Sequence, residues 1–392
     1  MIQAAVGVST ERNTARAALE AAAQVVEGLE GHGADWCVAF VSSEHREHLT
    51  ALTESLSGAL DTPYIVGCSA AGILVGDREY ENGPVLGVLG VRSDQLLATP
   101  FMFHDEGDHG LTAGVRLGQR FAGSRGSDDL MLVWPDPFHV RPDRLLQSMD
   151  AVLGAVPAVG GAASASRSEE NTFQFCGAEC GEASVSGIRL GGRFRHVIGV
   201  TQGCRPLGEP RRVTRAHENL LLEVEGRPAL EALRECAPTG VLDEMDWGLQ
   251  FLSVGLAPDP GVPQVDAGQY LVRNIVTADP DTGVLAIADT VEEGQHIVFV
   301  IREPAAARRD LAEMLDRVSV RRTGLNYRFG FYFNCLARGR SLYQESGIDS
   351  ALLAEALPDL PLLGFFCNAE IGPIGGQNRV FTYSGMLLLV AE

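Results

Sequence analysis

Leu130-Met131-Leu132-Val133-Trp134-Pro135-Asp136 and, one helical stretch later, Val156-Pro157-Ala158-Val159-Gly160-Gly161-Ala162-Ala163-Ser164 decide how this chain is read. They spell an apolar strand, a helix, a second apolar strand and a small-residue turn containing glycine. The same order runs from Trp36-Cys37-Val38-Ala39-Phe40-Val41-Ser42-Ser43 to Pro63-Tyr64-Ile65-Val66-Gly67-Cys68-Ser69-Ala70-Ala71-Gly72. It returns from Phe329-Gly330-Phe331-Tyr332-Phe333-Asn334-Cys335 to Leu360-Pro361-Leu362-Leu363-Gly364-Phe365-Phe366-Cys367-Asn368. A recurring unit takes precedence over any local signal, because it fixes the architecture. Turns after such strands are also where α/β proteins hold ligands.

Working outward, residues 2–8 read as a strand and 11–30 as a helix behind a Thr10 N-cap. Copy one contains a helix over 44–60. Segments 84–91 and 96–103 read as an antiparallel pair. A helix follows at 111–122, and another at 142–153 with Pro142 in its first turn. Residues 168–172 are polar and read as an exposed loop. Segments 183–190 and 194–201 read as a second pair across Gly191-Gly192. Strands are expected at 249–256, 269–275, 283–290 and 295–302, the last two joined by a hairpin turn at Val291-Glu292-Glu293-Gly294. A helix at 304–317 leads into copy three, and a strand at 380–390 ends the chain. The composition changes at 203–214, which marks a domain boundary. The expectation is an α/β protein of two related lobes. Mixed β-sheets flanked by helices are built on the repeated β-α-β-Gly unit, twice in the first lobe and once in the second, with a cleft between lobes.

The net charge of −20 argues against nucleic acid and against an anionic membrane surface as partners. No apolar run is long enough to span a bilayer, and the first residues show no secretory signal. The eight cysteines are scattered, several on apolar strands, which suits reduced thiols in the cytoplasm.

The turn residues Gly67, Cys68, Ser69, Gly160 and Gly161 follow apolar strands directly, where a missing Cβ lets backbone approach a ligand. Neither turn has nucleotide-loop spacing. The third copy differs. Cys367, Asn368 and Glu370 follow its second strand, and Asn334, Cys335 and Arg338 close its first. An acid and a guanidinium at adjacent strand ends would hold the ammonium and carboxylate of a zwitterion; the dull alternative is a structural ion pair. Arg273 and Asn274 interrupt an apolar strand and face either solvent or a polar cleft. A cysteine nucleophile at Cys68, Cys335 or Cys367 would need a lowered pKa and a base, and no histidine lies in those turns. Cys176 and Cys180 lack a second pair at zinc spacing, so no metal site is expected.

In order along the chain, these turns together with Val213-Thr214-Arg215-Ala216, Glu225-Gly226-Arg227-Pro228-Ala229-Leu230, Tyr270-Leu271-Val272-Arg273-Asn274-Ile275 and Phe366-Cys367-Asn368-Ala369-Glu370-Ile371-Gly372-Pro373 resemble the FIST family. The resemblance covers nearly the whole chain, with a FIST N-terminal domain at 1–212 and a FIST C-terminal domain at 213–392. It implies an intracellular sensory module for a small polar metabolite such as an amino acid, working with a separate signalling protein such as a kinase. No cofactor is required on this reading. Alternatives are a haem-binding gas sensor and a cysteine-dependent enzyme. Two departures from the family pattern stand out: no kinase, cyclase or DNA-binding segment is attached, and Ala369 precedes Glu370 where glycine is more usual.

Overall fold

The chain passes three times through one element order. The computed structural model describes residues 1–123, 126, 128–154, 156–166, 171–259, 270–321 and 324–392. Copy one comprises β1 (Ile2–Ser9), α1 (Thr14–Gly28), β2 (Trp36–Val41), α2 (Leu49–Leu60), β3 (Ile65–Ser69), a hairpin of β4 (Ile73–Val75) and β5 (Arg78–Tyr80), and β6 (Leu86–Ser93). Copy two comprises β7 (Leu96–His104), α3 (Leu111–Ala122), β8 (Leu130–Pro135), α4 (Pro142–Leu153), β9 (Ala158–Gly161), a hairpin of β10 (Gln174–Cys176) and β11 (Glu179–Gly181), and β12 (Ser184–Gly192). Copy three begins with β13 (Arg195–Gln202) and is then interrupted.

The interruption holds β14 (Cys204–Pro206), β15 (Arg211–His217), β16 (Leu220–Val224), β17 (Arg227–Pro228), α5 (Ala229–Cys236), α6 (Met245–Gly248), β18 (Leu252–Leu256), β19 (Leu271–Ala278), β20 (Leu285–Ile287) and β21 (His296–Arg302). Copy three resumes with α7 (Pro304–Arg321), β22 (Tyr327–Cys335), α8 (Arg340–Tyr343), α9 (Ile348–Ala356) and β23 (Leu362–Cys367). It ends with a hairpin of β24 (Glu370–Ile374) and β25 (Gln377–Phe381), then β26 (Ser384–Ala391).

Three sheets follow from this order: β1-β6-β2-β3-β10-β11, β7-β12-β8-β9-β24-β25 and β13-β26-β22-β23-β4-β5. The central pairs β2/β3, β8/β9 and β22/β23 are parallel, as a helical crossover requires. The last two strands of each sheet come from another copy. Copy one lends its hairpin to copy three, copy two to copy one, and copy three to copy two. The three hairpin turns open alike, with Gly76, Gly177 and Gly375 at φ of 59°, 61° and 61°; in copy three the second turn residue, Gly376, is also at a positive φ of 79°. A positive φ at the first turn residue suits the right-handed twist of the flanking strands and favours glycine.

A second glycine set explains the sequence signal itself. Gly67, Gly160 and Gly364 pair with Ala39, Val133 and Tyr332 in the parallel ladders. A Cβ on these glycines would meet the carbonyl oxygens of those partners at 1.7, 2.1 and 2.0 Å. The next residues along the central strands, Phe40, Trp134 and Phe333, form an aromatic cluster, with ring centroids 5.3 Å apart for Phe40–Trp134 and 6.3 Å for Phe40–Phe333. Each copy also has its own apolar layer under its helices. In copy one, alanines make α1 thin on its buried side, and its Ala21 carbonyl lies where a Cβ on Gly7 would be.

The chain divides into two compact units: residues 1–200, 311–380 and 384–392, and residues 201–310 with 381–383. In the second, β15, β16, β20, β19, β18 and β21 pair in sequence and close through β21–β15 into a six-stranded antiparallel barrel. Its interior holds Val213, Leu221, Val254, Ile275 and Phe299, packed by Leu230 and Leu233 of α5.

The expected two related lobes are replaced by this arrangement. All three copies share one unit, and the second unit is a barrel inserted into copy three whose strand pairings, among the described residues, are all antiparallel. The boundary seen at 203–214 is the entry of that insertion; its exit falls within α7, between Asp310 and Leu311. The expected pairs 84–91/96–103 and 183–190/194–201 do not form. β6 and β7, like β12 and β13, lie in different sheets, because these turns carry the chain from one copy to the next. β20 and β21 likewise pair with other strands rather than across 291–294. The cap of α1 is Asn13, whose Oδ1 accepts from Arg16 N, rather than Thr10. The strand expected at 380–390 is broken between Phe381 and Ser384. Of the expected exposed loop at 168–172, residues 168–170 lie outside the described residues, and Thr172 is buried.

Candidate ligand-binding site

The carboxyl ends of β22 and β23 open onto a pocket of about 720 Å³. Its wall draws on all three copies: Ala71 and Gly72 from the first, Ala165 and Ser166 from the second, Leu336 and Phe366 from the third. One serine ties these turns together. Ser164 Oγ accepts from Ala71 N at 2.8 Å and donates to Phe366 O at 2.5 Å, while its own N–H reaches Ser69 O at 3.2 Å. The lent hairpin of copy one supplies a further wall, adding Glu81 and Asn82, and the segment after β22 adds Arg340, Ser341 and Gln344.

The wall is held by carboxylates. Glu81 accepts from Arg340 N at 3.2 Å and 3.0 Å. Glu79 accepts from Gly347 N and Ser350 N, both at 2.9 Å, at the start of α9. Partial burial pushes the Glu79 carboxyl above its ordinary value, with those two N–H groups opposing the shift. Gly339, between β22 and α8, has φ 53°, and a Cβ there would meet Phe366 Cε1 at 2.6 Å. A left-handed residue lets the chain turn tightly against Phe366 and places Arg340 on the exposed rim.

Beside the pocket lies a buried polar group. Arg338 and Asp349, 1% and 0% exposed, form a two-pronged pair: Nε to Oδ2 at 2.9 Å and Nη2 to Oδ1 at 3.1 Å. Tyr332 and Tyr343 donate their hydroxyls to the same carboxylate at 3.0 and 2.8 Å. Burial opposes the charge on Arg338, and the Asp349 carboxylate more than offsets it, so the guanidinium stays ionised. Asn334, 1% exposed, makes no side-chain hydrogen bond through either Oδ1 or Nδ2.

Glu370 sits elsewhere in copy three, facing Gly161 across the β9/β24 ladder. It is fully buried and accepts from Ser384 Oγ at 2.6 Å, Ser384 N at 3.1 Å and Cys367 Sγ at 3.4 Å. Burial raises its pKa to about 7 against these hydrogen bonds. Cys335 and Cys367 are register partners, and Cys367 Sγ also donates to Asn334 O at 3.2 Å. Burial, reinforced by the neighbouring Glu370, pushes the Cys367 thiol well up; burial alone does so for Cys68. Neither is poised as a thiolate near neutral pH.

The sequence-derived residues therefore separate. Gly67 and Gly160 are glycines because a carbonyl of the neighbouring strand occupies the Cβ position; Gly161 is one because Cys367 Sγ would lie 2.6 Å away. Cys68 is wholly buried in β3, and Ser69 Oγ is taken by Phe173 N at 3.2 Å. Asn368 is exposed, its N–H bonded to Ala162 O at 3.0 Å. Arg338 is engaged by Asp349 rather than by Glu370, the acid that sequence reading pairs with it, so it has no free charge for a ligand carboxylate. Arg273 pairs with Asp289 at 2.6 Å and belongs, with exposed Asn274, to the barrel unit. Sequence reasoning missed Glu81, Asn82 and Arg340. The step Gly339-Arg340 just past a strand end was a usable signal for the last; nothing local pointed to the hairpin residues. Among the described residues no group of three or more His, Cys, Asp or Glu side chains is arranged to hold a metal ion, and no helix is long and apolar enough to cross a membrane.

Family comparison supplies the wider setting. A model of the FIST N domain matches residues 35–227, and one of the FIST C domain matches residues 229–373. The chain belongs to the FIST family. FIST domains are associated with sensing and signal transduction. Similar full-length relatives include the uncharacterised protein Rv0628c of Mycobacterium tuberculosis, 31% identical over 387 residues with 99% of each chain covered. Another is Mb0898c of Mycobacterium bovis, 32% identical over 389 residues, covering 99% of this chain and 98% of that one. Among solved structures, a chorismatase has a TM-score of 0.36 at 10% identity, covering 100% of this chain and 98% of its own. A cyanuric acid hydrolase also has a TM-score of 0.36 at 10% identity, with both chains fully covered. Likenesses this loose carry no functional argument.

Proposed function

We propose that this FIST protein is a sensory module that binds a small polar metabolite, an amino acid or a relative of one, in the pocket at the ends of β22 and β23. The observation that carries this reading is that turns from all three copies meet at one cavity of about 720 Å³, within the usual size of a small-molecule site. Its rim offers a cation, Arg340, and a carboxylate, Glu81, together with the amide side chains of Asn82 and Gln344. Arg340 takes an anionic group of the ligand in place of the engaged Arg338, and Glu81 an ammonium. The ligand touches both the lent hairpin of copy one and the α8 segment of copy three, so its binding favours whichever hairpin position fits it. A separate signalling protein, such as a kinase, reads that position.

Thermal-shift screening of amino acids and organic acids at millimolar concentration tests the reading. At least one compound should raise the melting temperature of the wild type. Ala165→Phe, which fills the cavity, should remove that shift, and Arg340→Ala should weaken it. Absence of any shift in the wild type, or a shift unaffected by Ala165→Phe, refutes the assignment.

A further inference from the structure

The pocket reading leaves Asn334 and Arg338 unexplained as a pair. Burying a polar group without a partner is costly. Asn334 is 1% exposed and neither end of its carboxamide is bonded. Arg338 is equally buried, and its Nη1 has no partner although Nε and Nη2 do. Both lie on one side of the third sheet. Asn334 is the register partner of Phe366 in the parallel ladder, so the two side chains leave the same face, and Phe366 lines the pocket. Tyr332, two residues before Asn334 on that face, donates to the Asp349 carboxylate that holds Arg338.

We propose that Asn334 and Arg338 form a subsite at the base of the pocket that reads a neutral amide edge, a C=O beside an N–H, on the bound ligand. The inference rests on the pocket reading above. The unengaged groups are two donors, Arg338 Nη1–H and Asn334 Nδ2–H, and one acceptor, Asn334 Oδ1. A ligand carbonyl oxygen takes the two donors, and its neighbouring N–H satisfies the acceptor. Exchanging the oxygen and nitrogen of the Asn334 amide leaves this inventory the same. Charge decides against a carboxylate. Asp349 already neutralises Arg338, so a ligand carboxylate would bring an unbalanced negative charge into a buried site and set an oxygen against Asn334 Oδ1. A primary carboxamide, a lactam and a ureide all present the matching edge. The ligand class is therefore a small metabolite with a neutral amide group, its charged end directed to Arg340 and Glu81.

Ligand-observed NMR titration of the full chain with acetamide, 2-pyrrolidinone and acetate, at constant pH and ionic strength, tests this. Acetamide and 2-pyrrolidinone should bind, and acetate should bind at least about tenfold more weakly, because a site built for one hydrogen-bond pattern rejects an analogue that leaves its groups unpaired. Asn334→Leu should remove amide binding. Asn334→Asp, which keeps the volume but loses the donor, should weaken it strongly and serves if the leucine variant does not fold. Acetate binding as well as acetamide, or amide binding indifferent to both Asn334 variants, overturns the proposal. If an amino acid still shifts the melting temperature of Asn334→Leu and Ala165→Phe abolishes that shift, the pocket stands and the amide subsite falls. If acetamide binds through Asn334 while no amino or organic acid shifts the wild type, the subsite stands and the amino-acid reading falls.

Discussion

Gln174 and Glu370 occupy the same place in two copies of the repeat. Each is the first residue of a lent hairpin, and each is wholly buried and bonded to the serine that opens the closing strand of its own copy. Ser184 Oγ lies 2.9 Å from Gln174 Oε1, and Ser384 Oγ 2.6 Å from Glu370 Oε2. In copy one the place belongs to Ile73. One position thus carries an amide, an acid and a hydrocarbon, and only the acid adds a pH dependence.

Glu370→Gln should therefore remove a pH-dependent part of the stability. The folded chain holds the Glu370 proton up to about pH 7, whereas the ordinary value is 4.5. Between these values the folded state binds more protons than the unfolded one. The contribution is complete below the lower value and is lost as pH rises through the upper. The wild type should lose about 2–3 kcal/mol from this group between pH 5 and pH 8. Melting curves across that range should show the variant gaining on the wild type as pH rises; parallel curves would refute the assignment.

Alanine at Gly67, Gly160 or Gly364 should cost about 3 kcal/mol or more, because the obstructing atom is a backbone carbonyl that cannot move aside. Gly76→Ala, where only the positive φ opposes the change, should cost about 1 kcal/mol. Gly58→Ala, within α2 and in open space, should stabilise by up to about 1 kcal/mol. Urea unfolding of the series checks the ranking.

Asp349→Leu alone should destabilise by about 3–5 kcal/mol, since it strands a buried guanidinium. Adding Arg338→Met should recover at least half of that loss. A double-mutant cycle by chemical denaturation measures the coupling, and additive losses would show that the pair is not the unit described.

Much of the repeat was legible because its signal is local. An apolar strand, a helix and a glycine under a neighbouring carbonyl sit close together in sequence, as Ala39 and Gly67 show. The exchange of hairpins was not legible. β4 has only three residues, and nothing in Ile73-Leu74-Val75 states that its partner is Leu363–Phe365 rather than a nearer strand. The same limit explains why β6 and β7 read as a pair: proximity in sequence favours a hairpin, and only the sheet order refutes it. The insertion showed at its entry, where prolines and glycines cluster, but its exit lies inside the continuous helix α7. Within the site, Arg338 and Asn334 were visible as polar residues at a strand end. That Asp349 engages one and leaves the other unbonded depends on the packing of α9.

The circular lending of hairpins also sets a timetable for a chain made from its N-terminus. β4 and β5 are synthesised early, yet the strand they pair with, β23, is almost the last to appear. The free edge of β9 must likewise wait for β24. Pairings this distant in sequence form slowly and leave unpaired edges exposed in the meantime. A ribosome-bound chain that stops short of residue 362 should therefore lack a settled first unit, and the newborn protein should be most prone to aggregate just before its last strands emerge.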